Sequence, residues 1–125
     1  MKKKILVVDD EKDFCHFVKK ALEASEEFKV TISNDGAEGV RKAKELLPDL
    51  VILDVMMPKM GGYEVAAELQ KEEDTRKIPI IFLTAVETER EVKDEGYLLE
   101  GKRFIAKPVK IHDLINSIKA ALAGG

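Results

Sequence analysis

Residues 51–58 read VILDVMMP, an apolar run that carries a single carboxylate and stops at a proline. An unbroken apolar run of this length with β-branched members is typical of a strand that is buried on both faces of a sheet. Asp54 continues the run, and burying a lone charge is costly unless another group pairs with it. Two interpretations are therefore open for Asp54: a solvated residue that caps a turn, or one member of a buried polar site.

The composition predicts one soluble domain. The chain has 125 residues, 45% of them hydrophobic, and a formal net charge of −3. This length can bury a single core, so we expect one domain over residues 1–125. The acidic balance offers no basic field for phosphate, which argues against direct binding of nucleic acid.

The sequence also indicates a cytoplasmic protein without a membrane partner. No apolar run approaches the roughly 18 residues of a membrane span, and no secretory signal is evident. The single cysteine, Cys15, cannot form an internal disulfide, which fits a reducing compartment. Cys15 falls on an apolar helical face, so we interpret it as part of the core.

Apolar periodicity predicts five strands that alternate with five helices. We expect strands at residues 5–8, 28–32, 51–54, 78–83 and 104–106. We expect helices at residues 13–22, 35–47, 63–72, 87–95 and 111–122. The helix at 87–95 has few apolar residues, so it should be the least firmly packed.

This alternation predicts an α/β fold in which one parallel sheet is covered by helices on both faces. The first, third and fourth strands are continuously apolar and belong in the centre of the sheet. The second strand alternates and the fifth is short, so both suit edges. That ranking matches a doubly wound, flavodoxin-like, five-stranded parallel sheet of order 2-1-3-4-5.

Polar side chains follow four of the five predicted strands. Asp9 and Asp10 come after the first strand, and Asp54 ends the third. Thr84 ends the fourth strand and Lys107 follows the fifth. Because the carboxyl ends of parallel strands meet at one edge of such a sheet, where its ligands bind, these residues should converge.

The chemistry of this set suits a phosphorylated carboxylate. Three carboxylates repel one another unless a cation holds them, and hard oxygen ligands favour Mg²⁺, with Mn²⁺ as an alternative. A lysine supplies a point charge for a phosphoryl oxygen, and a threonine hydroxyl can donate a hydrogen bond to another. Asp54 is the best candidate for the nucleophile because the other members can surround it.

The sequence resembles a response-regulator receiver domain over essentially the whole chain. Four separated motifs carry the resemblance in order: VVDDE at residues 7–11, DVMMPKMGG at 54–62, LTA at 83–85 and KP at 107–108.

The resemblance implies that Asp54 accepts a phosphoryl group from a phosphohistidine on a sensor histidine kinase or phosphotransfer protein. It implies that Asp10, Asp54 and the backbone carbonyl of Met56 bind Mg²⁺ directly, and that Asp9 acts mainly through a metal-bound water. Lys107 would pair with the phosphoryl group, and the bond from Lys107 to the following proline is expected to be cis.

The resemblance further implies a two-state switch. Thr84 would move in to hydrogen-bond the phosphoryl group, and Phe104 corresponds to an aromatic residue that turns inward in the active state. The surface formed by the helix at 87–95, the fifth strand and the last helix would bind an unknown downstream protein or output domain. Such a domain promotes only its own phosphorylation and dephosphorylation, so no enzymatic activity on another substrate is expected.

Three features depart from the family pattern. Gly61 stands where the family often has Asp, and residues 100–103 replace a usual Gly-Ala pair, which affects the predicted output surface. Met56 and Val86 lie two places beyond Asp54 and Thr84, and neither side chain can orient a water molecule. We therefore predict a comparatively long-lived acyl phosphate.

Three alternatives compete with this interpretation. A phosphatase with an aspartate nucleophile usually has a second Asp two residues on, where this chain has Met56. A flavin or nucleotide binder needs a loop rich in Gly, Ser or Thr after the first strand, where this chain has an acidic run. A receiver fold that serves only as a docking module, without phosphorylation, stays open.

Overall fold

The computed structural model describes residues 1–85, 97–99 and 102–124, which contain six strands and five helices. The strands are β1 (Lys3–Val8), β2 (Phe28–Ser33), β3 (Leu50–Asp54), β4 (Ile80–Thr84), β5 (Tyr97–Leu99) and β6 (Lys102–Ala106). The helices are α1 (Lys12–Glu23), α2 (Gly36–Leu46), α3 (Gly62–Gln70), α4 (Glu73–Arg76) and α5 (Ile111–Leu122). The predicted helix at 87–95 and the predicted role of Val86 lie outside the described residues.

The sheet confirms the predicted topology and adds one strand. Its order is β2-β1-β3-β4-β6-β5, so the five predicted strands are parallel and follow the order 2-1-3-4-5. The sixth strand, β5, runs antiparallel to β6 and forms the edge. The prediction that the strand at 104–106 is an edge strand is therefore wrong: Tyr-Leu-Leu at 97–99 has strand propensity and covers the free edge of β6.

Both faces of the sheet are buried, as the continuous apolar strands predict. Ile5 and Val7 of β1 pack into the core cluster beneath α1 and α5, whereas Leu6 and Val8 pack into the cluster beneath α2 and α3. Every residue of β3 is buried. Within residues 1–85, 97–99 and 102–124, the longest helices have 12 residues, and no helix has the length and apolar character needed to cross a bilayer.

Side chains from two helices satisfy backbone groups along the free edge of β2. Lys19 Nζ donates to the Val30 carbonyl at 2.6 Å, and Glu23 Oε2 accepts from the Val30 N–H at 2.9 Å. Lys42 Nζ donates to the Ile32 carbonyl at 2.7 Å. An edge strand with its backbone groups occupied is a poor template for pairing with another chain.

Helix α3 begins and ends earlier than the sequence predicts. It starts at Gly62 instead of Tyr63 and ends at Gln70 instead of Glu72, and the short helix α4 was not predicted. The chain turns between the two helices because the buried Thr75 hydroxyl donates to the carbonyl of residue 69 at 2.6 Å.

The start of α3 lies directly against the end of β3. A Cβ atom on Gly62 would lie 2.5 Å from the Asp54 carbonyl oxygen and 3.1 Å from the Val55 Cα atom, both of which are backbone. Glycine is therefore required here by the close approach of the two chain segments.

We predict that Gly62→Ala lowers the free energy of unfolding, measured by urea denaturation, by about 1–2 kcal/mol. Alanine gains up to about 1 kcal/mol in helix propensity, but overpacking against backbone costs about 1–3 kcal/mol. An unchanged or increased stability would show that the segment after Asp54 can move away without cost.

Candidate functional site

Three aspartates converge at the carboxyl edge of the sheet, as the sequence predicts. Val8 at the end of β1 pairs with Leu53 in β3, so Asp9, Asp10 and Asp54 follow neighbouring strands at the same level. One oxygen from each carboxylate lies within 4.8 Å of the others. Asp9 and Asp54 are buried, and Asp10 is exposed. We refer to these three residues as the carboxylate cluster.

The backbone and side chain of Asp9 are held from several directions. Its N–H donates to the Ser33 carbonyl at 3.0 Å, and its Oδ1 accepts from the Glu11 N–H at 2.9 Å. Its carbonyl accepts from Asn34 Nδ2 at 3.0 Å and from the Cys15 thiol at 3.3 Å. No pattern in the sequence predicts the role of Asn34, because its contact with Asp9 depends on the pairing of β2 with β1.

Cys15 is buried in the core, as predicted from its place on the apolar face of α1. Burial, followed by the negative charge of Asp9, raises the pKa of its thiol to about 12. The thiol therefore stays protonated at neutral pH and acts as a hydrogen-bond donor, not as a nucleophile.

Asp54 is a buried carboxyl group with a strongly perturbed pKa. Burial and then the charge of Asp9 raise its pKa from 3.8 to about 6, against the opposing effects of Lys107 and the Met56 backbone. The Met56 N–H donates to Asp54 Oδ1 at 3.2 Å. The predicted use of the Met56 carbonyl as a metal ligand stays a prediction.

Lys107 reaches into the carboxylate cluster from the end of β6. Its Nζ lies 2.7 Å from Asp9 Oδ2, 3.6 Å from Asp54 Oδ2 and 2.6 Å from Glu11 Oε1. It also lies 4.6 Å from the centroid of the Phe14 ring. Burial alone would lower the pKa of Lys107, but the bonds to Asp9 and Glu11 outweigh it, so the pKa is raised and the lysine stays charged.

Thr84 and Lys107 lie at the ends of neighbouring strands. The Lys107 N–H donates to the Thr84 carbonyl at 2.8 Å, which places both residues at the same edge as the cluster. The peptide bond between Lys107 and Pro108 is cis, which confirms that prediction.

Phe104 belongs to a group of three neighbouring aromatic rings. It is buried, and its ring centroid lies 5.3 Å from that of Phe82 and 6.3 Å from that of Tyr63. Lys102 Nζ lies 5.5 Å from the Tyr63 centroid on the outer side of this group. The proposed switching role of Phe104 stays a prediction.

The residues present fit a divalent cation. Each carboxylate of the cluster offers a hard oxygen ligand, the type that Mg²⁺ prefers. Two of the three are buried side by side, and a single lysine supplies one positive charge against them. A neighbouring negative charge raises the pKa of a carboxyl group unless a cation neutralises it. The charge of Asp9 contributes to the raised pKa of Asp54, so a divalent ion would relieve this repulsion.

Comparisons with known proteins agree with the fold. The chain matches the response regulator receiver domain family over residues 5–119. It is 38% identical over 122 residues to the alkaline phosphatase synthesis transcriptional regulatory protein PhoP of Bacillus subtilis, covering 98% of this chain and 49% of that protein. It is 31% identical over 121 residues to the protein PilH of Pseudomonas aeruginosa, covering 97% of this chain and 98% of that protein.

A solved structure shows the same architecture. The chemotaxis protein CheY4 of Vibrio cholerae superposes with a TM-score of 0.82 at 26% identity, covering 97% of this chain and 99% of that chain. The chain spans about half of the length of several curated relatives that it matches, PhoP among them.

The doubly wound parallel sheet places this domain in the CheY-like class of receiver folds. The chain belongs to the response regulator receiver domain family of two-component systems.

We predict that Asp54→Asn stabilises the protein in the absence of divalent cations. The pKa of Asp54 is raised in the folded state, so its ionised form opposes folding, by about 1–3 kcal/mol at pH 7.5. This gain should be complete above about pH 7, decrease as the pH falls through 6, and vanish below 3.8. Urea denaturation in EDTA across this pH range measures it.

Asp13→Asn is the matched control, because Asp13 is an exposed acidic residue in the first turn of α1, outside the cluster. It should leave stability unchanged or slightly lower, since it loses a favourable interaction with the helix dipole. Equal effects of the two substitutions would contradict the assigned repulsion.

Proposed function

We propose that this chain is a phosphoryl-accepting receiver, in which Asp54 takes a phosphoryl group from a phosphohistidine on a sensor histidine kinase or phosphotransfer protein. The observation that best supports this proposal is the position of Asp54, which is buried at the end of a central strand. Its carboxylate lies within 4.8 Å of two further carboxylates and 3.6 Å from the Lys107 ammonium. Asp54 is thus a carboxylate that is poorly neutralised within the protein and lies at the sheet edge where ligands of this fold bind.

The reaction forms one bond and breaks another. An oxygen of Asp54 forms the new O–P bond, while the P–N bond of the phosphohistidine breaks and the imidazole nitrogen retains the electron pair and takes up a proton. Asp10, Asp54 and the Met56 carbonyl would hold a cation such as Mg²⁺, with Asp9 acting through a water, and the cation would supply neutralising charge. The Met56 N–H keeps the Asp54 carboxylate oriented, at 3.2 Å from Oδ1.

Lys107 and Thr84 are proposed to bind the transferred group. The Lys107 ammonium is already 3.6 Å from Asp54 Oδ2, so a phosphoryl group on that carboxylate comes within its reach. Thr84 is joined to Lys107 through a backbone hydrogen bond of 2.8 Å, and its hydroxyl can donate to a second phosphoryl oxygen. The domain promotes only its own phosphorylation and dephosphorylation.

The output step is a shift between two conformations. Phosphorylation adds nearly two negative charges at the edge of the sheet, and the arrangement in which Thr84 and Lys107 bind them better gains population. Phe104 lies in β6, three residues before Lys107. Its side chain is proposed to turn inward in the arrangement that binds the phosphoryl group. The surface that includes β6 and α5 is the proposed docking site for a downstream protein or output domain, in the cytoplasm.

We predict that incubation with Mg²⁺ and acetyl phosphate adds one phosphoryl group to the wild-type protein, as measured by intact mass. Asp54→Asn should show no gain, because the nucleophilic oxygen is replaced by an amide. Asp10→Asn should show a strongly reduced rate, because the cluster loses an exposed ligand.

Asp49→Asn, which changes a carboxylate outside the cluster, is the control and should react as the wild type does. An unmodified wild type under conditions in which Mg²⁺ binds would favour the alternative of a docking module without phosphorylation.

We predict a slow loss of the phosphoryl group, because the Met56 side chain at the mouth of the site is 69% exposed and cannot orient water. Met56→Asn introduces a side chain that can hydrogen-bond an attacking water and should shorten the half-life of the phosphoprotein by roughly 3- to 10-fold, less than a general acid or base contributes because the amide transfers no proton. Met56→Leu is the control. A half-life that is unchanged in Met56→Asn would contradict this interpretation.

A further inference from the structure

The Lys107 ammonium has two sets of neighbours. Asp9 at 2.7 Å and Asp54 at 3.6 Å belong to the carboxylate cluster. Glu11 at 2.6 Å and the Phe14 ring centroid at 4.6 Å lie outside it. The ammonium thus stands between the proposed cation site and a second group of residues on α1.

A divalent cation and the ammonium would be neighbours of the same carboxylates. Asp9 and Asp54 are both members of the cluster and both neighbours of Lys107. Two cations at this separation in a partly buried site repel each other, so binding of a divalent ion weakens the hold of the cluster on the lysine. The lysine side chain is only 13% exposed, so it needs another partner nearby instead of free access to water.

We propose that Glu11 and Phe14 form an ammonium seat, which receives Lys107 when a divalent cation occupies the carboxylate cluster. The inference rests on the proposed function and adds to it two positioning residues. Glu11 provides a carboxylate that is not a cluster member, and Phe14 provides the face of an aromatic ring, a favourable neighbour for a cation.

The backbone of the seat is held at the start of α1. Glu11 is the N-cap of the helix, and its carbonyl accepts from the Cys15 N–H at 3.1 Å. Phe14 lies three residues further, on the same side of the first turn, and packs against the core cluster beneath α1. The fold therefore holds the backbone of both residues beside the cluster, within reach of the lysine side chain.

This arrangement has two consequences. The seat reduces the cost of removing the ammonium from the cluster, so it strengthens the binding of Mg²⁺. It also keeps Lys107 close enough to Asp54 to meet the phosphoryl group. Without the seat, the lysine would remain on Asp9 and oppose the divalent ion.

Calorimetric titration of the full chain with MgCl₂ at about 0.1 M KCl, where exposed charges more than about 10 Å apart are screened, tests the inference. Glu11→Gln should weaken Mg²⁺ binding about 3- to 5-fold, in keeping with a partly exposed ion pair. Asp13→Asn removes one charge from the same turn without touching Lys107 and should weaken binding less than 2-fold.

The decisive comparison repeats both substitutions in a Lys107→Met background. Lys107→Met alone should tighten Mg²⁺ binding, because it removes the competitor. In that background Glu11→Gln should have no larger effect than Asp13→Asn, since there is no ammonium to receive. Lys107→Gln provides the same cycle if Lys107→Met does not fold, as judged by circular dichroism.

Two further variants test whether Glu11 and Phe14 affect Mg²⁺ binding by positioning the Lys107 ammonium or only by stabilising the fold. Phe14→Leu keeps an apolar side chain and loses the ring face, so it should weaken Mg²⁺ binding about 2-fold, again only when Lys107 is present. Glu11→Asp keeps the charge and should restore most of the affinity that Glu11→Gln loses.

The outcomes distinguish this inference from the proposed function. A Glu11→Gln effect that is equal with and without Lys107, while the wild type binds Mg²⁺, would overturn the ammonium seat alone. A wild type that binds no Mg²⁺ would overturn both.

Discussion

The burial of two like charges at the ends of neighbouring central strands is the constraint on which the site depends. Asp9 is fully buried and Asp54 is 5% exposed, and both follow strands that pair in register. Their mutual repulsion, together with burial, raises the pKa of Asp54 to about 6. A fold retains such an arrangement only if another charge compensates it, and the compensating groups are Lys107 and, in our proposal, a divalent cation.

The scaffold places these charges by ordinary packing. The parallel sheet is covered on both faces, so its strands are apolar until they reach the edge where the polar residues begin. Backbone donors then orient the carboxylates: the Glu11 N–H bonds to Asp9 and the Met56 N–H bonds to Asp54. The close approach of Gly62 to the Asp54 carbonyl brings α3 against the same loop. The site is therefore rigid on the side of β1 and β3.

Sequence reasoning predicts the strand order, the convergence of the polar strand ends and the cis bond before Pro108 because each follows from local pattern or from topology. It cannot predict which partners a long side chain selects. The contacts of Lys107 with Glu11 and Phe14, 96 and 93 positions away in the chain, depend on how the residues that follow β1 and β6 meet at the edge of the sheet. The hydrogen bond from Asn34 to the Asp9 carbonyl cannot be predicted from the sequence, because it also depends on tertiary packing.

The edge of the sheet shows a second limit of sequence reasoning. Residues 97–99 are too short an apolar run to be distinguished from a loop, and only the pairing with β6 identifies them as a strand. Of the departure noted at residues 100–103, Lys102 and Arg103 form the start of β6. The predicted end of α3 at Glu72 failed because the hydrogen bond of Thr75 to the carbonyl of residue 69 depends on tertiary packing.

The central claim, that the buried carboxylates form a cation site, is tested most directly by the free energy of unfolding as a function of Mg²⁺ concentration. Urea denaturation at pH 7.5 should show stability that increases by about 1.4 kcal/mol for each tenfold rise in free Mg²⁺ above the dissociation constant. The increase should exceed that produced by KCl at the same ionic strength. A stability that depends on ionic strength alone, with no additional effect of Mg²⁺, would contradict the account.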